Sequence, residues 1–213
     1  MPSPLKYRPE SMSPTPHRLQ LEIHPLTPQR WPDFERLFGE KGGCGGCWCM
    51  WLRVTRSEFQ RQKGPGNKQA LKKLVDSAET VGLLAYLGTE AVGWCALSPR
   101  ERFSALERSR VLKRVDDQPV WSVVCFYIAR HFRQRGVSLE LLRAALRYAK
   151  SKGVRIVEGY PIEPRKARMP DVFAFPGLVS AFRRAGFKEV ARRSPTRPIM
   201  RAMLRRLPAP ANS

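Results

Sequence analysis

The run Phe126-Tyr-Ile-Ala-Arg-His-Phe-Arg-Gln-Arg-Gly-Val-Ser138, continuing into Leu139-Glu-Leu-Leu-Arg-Ala-Ala-Leu146, admits few folds. Val120 to Ile128 is a short, β-rich apolar run, and Leu139, Leu142, Ala145, Leu146 and Ala149 then recur at helical spacing. The basic segment Arg133-Gln-Arg-Gly136 therefore sits where a helix begins. A helix start offers unpaired N–H groups and the positive end of the dipole. Arg133 and Arg135 add charge that can fork onto phosphate oxygens, and Gly136 removes the side chain that would keep a diphosphate off the backbone. Strand, phosphate loop and helix in this order point to an α/β chain with an anionic ligand. The competing explanation is a solvated basic turn before an ordinary helix.

A chain of 213 residues, 42% hydrophobic, can bury one substantial core. We expect one folded domain over 18–207, with a Pro- and Ser-rich N-terminal tail at 1–17 and a flexible C-terminal tail at 208–213. No stretch approaches the length of a membrane span and the N-terminus has no apolar signal region, so the expected location is cytoplasmic, without a membrane partner. The formal charge of +21, from 39 Lys plus Arg against 18 Asp plus Glu, calls for an anionic partner. Nucleic acid is the rival candidate. The arginines, however, are spread along the chain, with no zinc-finger spacing, RNA-recognition signature or basic helix followed by heptads.

Five cysteines, an odd number, argue against a disulfide framework. Cys44-Gly-Gly-Cys47-Trp-Cys49 packs three soft ligands together, yet zinc usually takes four, and His17, His24 and His131 show no paired spacing. No metal is expected. The glycines around these cysteines suggest a flexible loop that brings Trp48, Met50 and Trp51 against something apolar.

Along the rest of the chain, Leu19 to Ile23 reads as a strand and Thr27 to Phe38 as a helix stopped by Gly39. Asn67 is placed to cap a helix from Lys68 to Ser77. Val81 to Leu87 and Ala91 to Leu97 flank Gly88-Thr-Glu90 as a hairpin. Ser98 to Gln118 reads as a long connection with a helical turn near Ala105 to Leu112. A helix over 136–152, a strand over Val154 to Tyr160, a helix over Gly177 to Ala185, and strands over Phe187 to Arg192 and Pro198 to Leu204 complete the pattern. The sum is a mixed sheet of about seven strands flanked by helices.

The pattern Arg133-x-x-Gly136-x-Ser138, after a strand and opening a helix, resembles the acetyl-CoA pyrophosphate motif of the GNAT N-acetyltransferase superfamily, with Ser138 in place of the usual last small residue. The Ala185-Gly186-Phe187 step resembles that superfamily's Gly-Phe turn, and the β-α-α-β-β-β-α-β-α-β-β order is the one expected of a GNAT-like fold. The resemblance runs from Arg18 to Leu204. Within the superfamily the chain looks most like a subgroup with a Cys-Trp-Cys-Met loop, a Val120-Trp-Ser-Val123 strand and a Gly159-Tyr-Pro161 step, a likeness that implies no particular acceptor.

What the resemblance implies is an enzyme that passes an acetyl group from acetyl-CoA, as cosubstrate, to a primary amine by direct attack in a ternary complex. Arg133, Gln134, Arg135, Gly136, Val137 and Ser138 would hold the pyrophosphate, while backbone at Phe126 to Ile128, Ile128 above all, would meet the pantetheine or the acetyl carbonyl. The tyrosine that many members place on the last helix, to protonate the leaving thiolate, is matched here by Phe182, which cannot donate a proton. Nor is the usual Asn near that helix evident in Asp171 to Gly177. The alternatives are a catalytically silent GNAT-like regulator that binds CoA, and a basic nucleic-acid-binding protein.

An attacking amine of pKa about 10.4 must lose a proton. Glu158 in the run Val154-Arg-Ile-Val-Glu-Gly-Tyr160 is the first candidate base, with an Arg-paired structural role as its competitor. Tyr160, two residues on and hence on the same face, is the candidate acid or substrate-orienting group. Trp48, Trp51 and Asp117 are the candidate acceptor contacts; a core role competes for the tryptophans and a solvated turn for the aspartate. Cys125 fits a buried small residue better than a covalent nucleophile, because no histidine adjoins it. The oligomeric state stays open, a homodimer included.

Overall fold

A computed structural model of the chain describes residues 19–164 and 174–204. The tails expected at 1–17 and 208–213 lie outside the described residues. Seven strands form one sheet: β1 (Glu22–Pro25), β2 (Gly82–Leu87), β3 (Glu90–Pro99), β4 (Trp121–Ile128), β5 (Ile156–Gly159), β6 (Lys188–Arg192) and β7 (Pro198–Met203). Their spatial order is β1-β2-β3-β4-β5-β7-β6, and every pair is antiparallel except β4 with β5. The single parallel pair follows from the 15-residue helix α5 (Val137–Ser151), which carries the chain from the end of β4 back to the start of β5.

The central strands are buried on both faces, which is why β2 reads as a continuous apolar run, and β4 as one broken only by Ser122, rather than as alternations. On one face, α1 (Trp31–Phe38) and α3 (Pro65–Asp76) pack with the Cys44–Leu52 loop against Trp94, Cys125 and Tyr160. On the other, α5 and α6 (Val179–Arg184) cover Val123, Phe126 and Val157. Phe34, Phe38, Trp48 and Trp94 form a continuous aromatic stack beneath α1, with neighbouring ring centroids 4.1–6.2 Å apart.

Two local expectations need correction, and one helix lies where none was expected. Asn67 does not cap α3: the helix starts earlier, after Gly64, and Asn67 lies inside it, where its amide donates to Gly46 O at 3.1 Å and Phe59 O at 3.4 Å. It ties the glycine-rich loop to α3. A further helix, α2 (Arg56–Arg61), precedes α3 and is held by a capping box: Glu58 N–H donates to Thr55 Oγ1 and Thr55 N–H donates to Glu58 Oε2. The long connection before β4 contains a 3-10 turn at Arg100–Arg102 and a short α4 (Ser104–Glu107), rather than helix near 105–112.

Candidate active site

β4 and β5 pair only from Trp121↔Val157 to Val123↔Gly159. Beyond Val123 the two strands diverge, and the amides of β4 that would have joined the parallel ladder have no β5 partner. Ala129 N–H donates to Val92 O, so alternation along the antiparallel β3–β4 ladder turns the Phe126 and Ile128 amides the other way, into the splay. The Phe126 amide is taken up there by the Phe175 carbonyl at 2.6 Å.

The divergence opens a cavity of about 910 Å³. At one end lie Arg133, Gln134, Gly136, Val137 and Ser138; the middle wall is Phe126, Tyr127 and Ile128; the far end is built of Cys44, Cys47, Trp51, Phe59, Cys125 and Phe175. The basic end is shaped by backbone. Gln134 (φ 61°) and Gly136 (φ 82°) both occupy the left-handed region, and Gly136 is the residue from which α5 starts. A Cβ at Gly136 would meet nothing within 4 Å, so it is conformation, not crowding, that requires glycine there. Arg133 is anchored through Nε to Ile128 O at 3.1 Å, which fixes the loop against the end of β4. Of the six residues expected to hold pyrophosphate, five line the cavity; Arg135 is exposed and is not on its wall.

Glu158 and Tyr160 lie elsewhere. Glu158 has no exposed surface and is clamped by two guanidinium groups: Oε1 accepts from Arg100 Nη1 at 2.9 Å and Oε2 from Arg201 Nε at 2.7 Å. Arg201 also grips Asp116 through both Nη atoms, at 2.7 and 3.0 Å. Tyr160 donates to Glu158 at 2.6 Å and meets Ser122 Oγ at 2.9 Å. Burial, and then the Glu158 charge, hold its phenol well above the ordinary value. Neither residue is on the cavity wall. The expectation of Glu158 as base and Tyr160 as acid is therefore corrected: a carboxylate satisfied on both oxygens by buried cations has no reach to an acceptor.

The acceptor contacts divide. Trp51 is on the wall, edge-on to Phe59 and Phe175 with centroids 5.6 and 5.4 Å away. Trp48 is buried instead, stacked on Phe38 at 5.9 Å with the Lys68 ammonium 5.0 Å from its ring. Asp117 is exposed, four residues before β4 begins and hence at the opposite end of the strand from the cavity. Phe59 and Phe175 were not legible as wall residues, because only the path of the intervening chain brings them to Trp51. Among the described residues, no group of three or more His, Cys, Asp or Glu side chains is arranged to hold a metal.

The model of the acetyltransferase (GNAT) family matches residues 48–164, more than half of the chain. The protein belongs to the GNAT family. No curated protein matches the sequence. Among solved structures, a GNAT-family acetyltransferase from Listeria monocytogenes shares the fold at 10% identity and a TM-score of 0.55, with 89% of this chain and 98% of that one covered. The chain is also similar to the PaiA N-acetyltransferase of Thermoplasma acidophilum in complex with coenzyme A, at 14% identity and a TM-score of 0.49, covering 86% of this chain and 99% of that one. Arabidopsis thaliana NAA60 in complex with acetyl-CoA is similar at 15% identity and a TM-score of 0.47, with 86% and 99% covered.

Within this GNAT fold, Phe182 on α6 is wholly buried. Its ring presses on β5 where a Cβ at Gly159 would come within 2.1 Å of Cε1, so Gly159 is glycine for want of space. Phe182 packs the base of the splay and offers no proton.

Proposed function

We propose that the protein transfers an acetyl group from acetyl-CoA to a primary amine by direct attack, with both substrates held together. One observation carries this reading: a single cavity joins a backbone-built anion site, a strand edge with amides turned toward it, and an aromatic wall. The loop Arg133–Ser138 and the first turn of α5 suit a diphosphate. The Phe126 and Ile128 amides suit the pantetheine and the acetyl carbonyl, on which negative charge grows as the amine attacks. Trp51, Phe59 and Phe175 suit an acceptor with an apolar body next to its amine.

Calorimetric titration with acetyl-CoA tests the first half. One-to-one binding is expected, and Gly136→Glu should abolish it without unfolding the protein, since the side chain adds bulk and charge where phosphate meets backbone. Undiminished affinity in a folded Gly136→Glu variant rejects the loop assignment. A panel of primary amines, read by release of free CoA thiol, tests the second half.

A further inference from the structure

An ordinary thiol ionises near pH about 8.5, so a thiolate expelled at neutral pH takes up a proton, and Phe182 has none to give. Among the described residues, the side chains on the cavity wall that carry a proton on oxygen or sulfur are Cys44, Cys47, Cys125, Tyr127 and Ser138. Two of them are already committed: the Cys47 S–H donates to Gly42 O at 3.6 Å and the Cys125 S–H to Phe126 O at 3.8 Å. Burial also pushes the Cys47 thiol up to about 12, which makes it a reluctant acid. Ser138 belongs to the first turn of α5, at the diphosphate end, and Cys44 is exposed on the glycine-rich loop.

Tyr127 differs from all four. It stands between Phe126 and Ile128, whose amides face the splay, and pairs with Trp94 across the β3–β4 ladder. Alternation along β4 sends its ring, with Cys125 and Ala129, to the face that carries the cysteine loop, whereas Phe126 and Ile128 pack on the α5 face. The ring is seated: its centroid lies 4.9 Å from that of Phe38, which is itself stacked on Trp48 at 5.9 Å. The hydroxyl is uncommitted. It bonds to no protein group, and it is not among the buried polar atoms sealed from water, so it opens from a half-buried residue onto the cavity. Among the described residues the wall holds no Asp or Glu to compete for its proton. A donor whose ring is already held, and whose proton is pledged to no other group, needs no rearrangement at the moment of reaction.

We propose that Tyr127 is the catalytic acid of the transfer, giving its phenolic proton to the CoA sulfur as the thioester breaks. The amine enters as the free base, having lost its first proton to water. Its nitrogen bonds to the acyl carbon, and the carbonyl oxygen, now charged, rests on the amides of β4. As the carbonyl re-forms, the C–S bond breaks and its electron pair takes the Tyr127 proton, which leaves CoA thiol and a phenolate. The phenolate then takes the surplus proton of the newly acylated nitrogen, restoring Tyr127 and leaving a neutral amide. Nothing is oxidised, and amine plus thioester become amide plus thiol. The role that Phe182 leaves open passes from α6 to β4, one residue from the amides that face the splay.

The proposal rests on the acetyl-CoA reading for its substrate, so the test has a binding arm and a rate arm. Tyr127→Phe keeps the ring against Phe38 and removes only the hydroxyl. In calorimetric titrations it should weaken CoA by about two- to tenfold, the span of one net hydrogen bond, and leave the affinity for desulfo-CoA unchanged. On whichever amine the panel finds fastest, it should slow a single turnover by about 10²–10⁴-fold, with KM little altered, and remove most of the solvent deuterium isotope effect that the parent shows. Equal losses of CoA and desulfo-CoA affinity overturn the proposal, as does a slowed variant with an undiminished isotope effect, since both mean a packing role. A variant that acetylates as fast as the parent overturns it while the acetyl-CoA reading stands. If Tyr127→Phe fails to fold, the parent decides: equal single-turnover rates in water and deuterium oxide leave no proton in flight and overturn the proposal. A parent that binds neither CoA nor desulfo-CoA overturns the acetyl-CoA reading itself, and this role with it.

Discussion

Two buried polar clusters sit on the same side of the sheet and are built on opposite logic. Around Glu158, the side chains of Arg100, Arg201, Tyr160 and Ser122 bond the carboxylate, one another, Glu107, Asp116 and the Leu112 carbonyl, and none of their buried polar atoms lacks a partner. In the core that holds Cys49, two buried N–H donors, Trp94 Nε1 and Arg53 Nε, have no hydrogen-bond partner, and one neighbour, Cys125, opens onto the cavity. The first cluster spends its charges on itself and locks the connection before β4 to β5 and β7. The second leaves two buried donors unsatisfied, neither of them on the cavity wall. A titratable group in an apolar strand is thus a poor guide to chemistry until its partners are counted.

The sharpest way to break this contrast is Glu158→Gln. Removing the carboxylate leaves Arg100 and Arg201 facing each other without their shared counter-charge, and a loss of about 3–5 kcal/mol in denaturant unfolding is expected. A variant of undiminished stability that had lost its activity would restore Glu158 as a catalytic group. Alkaline pH comes next. Cys47, Cys95 and Cys125 have folded values raised above ordinary thiols, so their stabilising effect is full below the unfolded thiol value and is lost as pH rises through the folded one. Unfolding midpoints should therefore fall above about pH 8.5, with a slope of about 1.4 kcal/mol per pH unit for each thiol kept neutral. A flat profile up to pH 10 would mean that those sulfurs are not held neutral.

Trp51→Ala should raise the acceptor KM about tenfold by removing the cavity's aromatic wall, while calorimetric affinity for acetyl-CoA stays unchanged. A matching loss of cofactor affinity would show that the two ends of the cavity are not separate sites. The smallest effect is expected for Asp117→Asn, an exposed change away from both clusters: stability within about 0.5 kcal/mol of the parent and no shift in acceptor KM.

Local signals were the legible ones. The strand, the turn at Gly136 and the helical repeat from Leu139 lie side by side in the chain, so Arg133–Ser138 could be placed as an anion loop before any tertiary contact was known. The Thr55-x-x-Glu58 capping box is equally local and announces α2. Asn67 misled because an amide suited to capping is just as suited to bridging two loops, which is its use here. Long-range pairings could not be read. Arg100 meets Glu158 across 58 positions and Arg53 meets Ser98 across 45, and no periodicity encodes such distances. Trp48 and Trp51 look alike in sequence. Only the fold separates the one stacked under α1 from the one on the cavity wall.

With the Phe126 amide already bonded to the Phe175 carbonyl at 2.6 Å, any incoming oxygen that claims this amide exchanges one hydrogen bond for another. The Phe175 carbonyl already occupies that donor. Affinity for any oxygen placed there would be a difference between two similar acceptors, set by how 174–178 rests on β4. Selectivity follows as well, since a ligand gains from this amide only if it also compensates the displaced carbonyl.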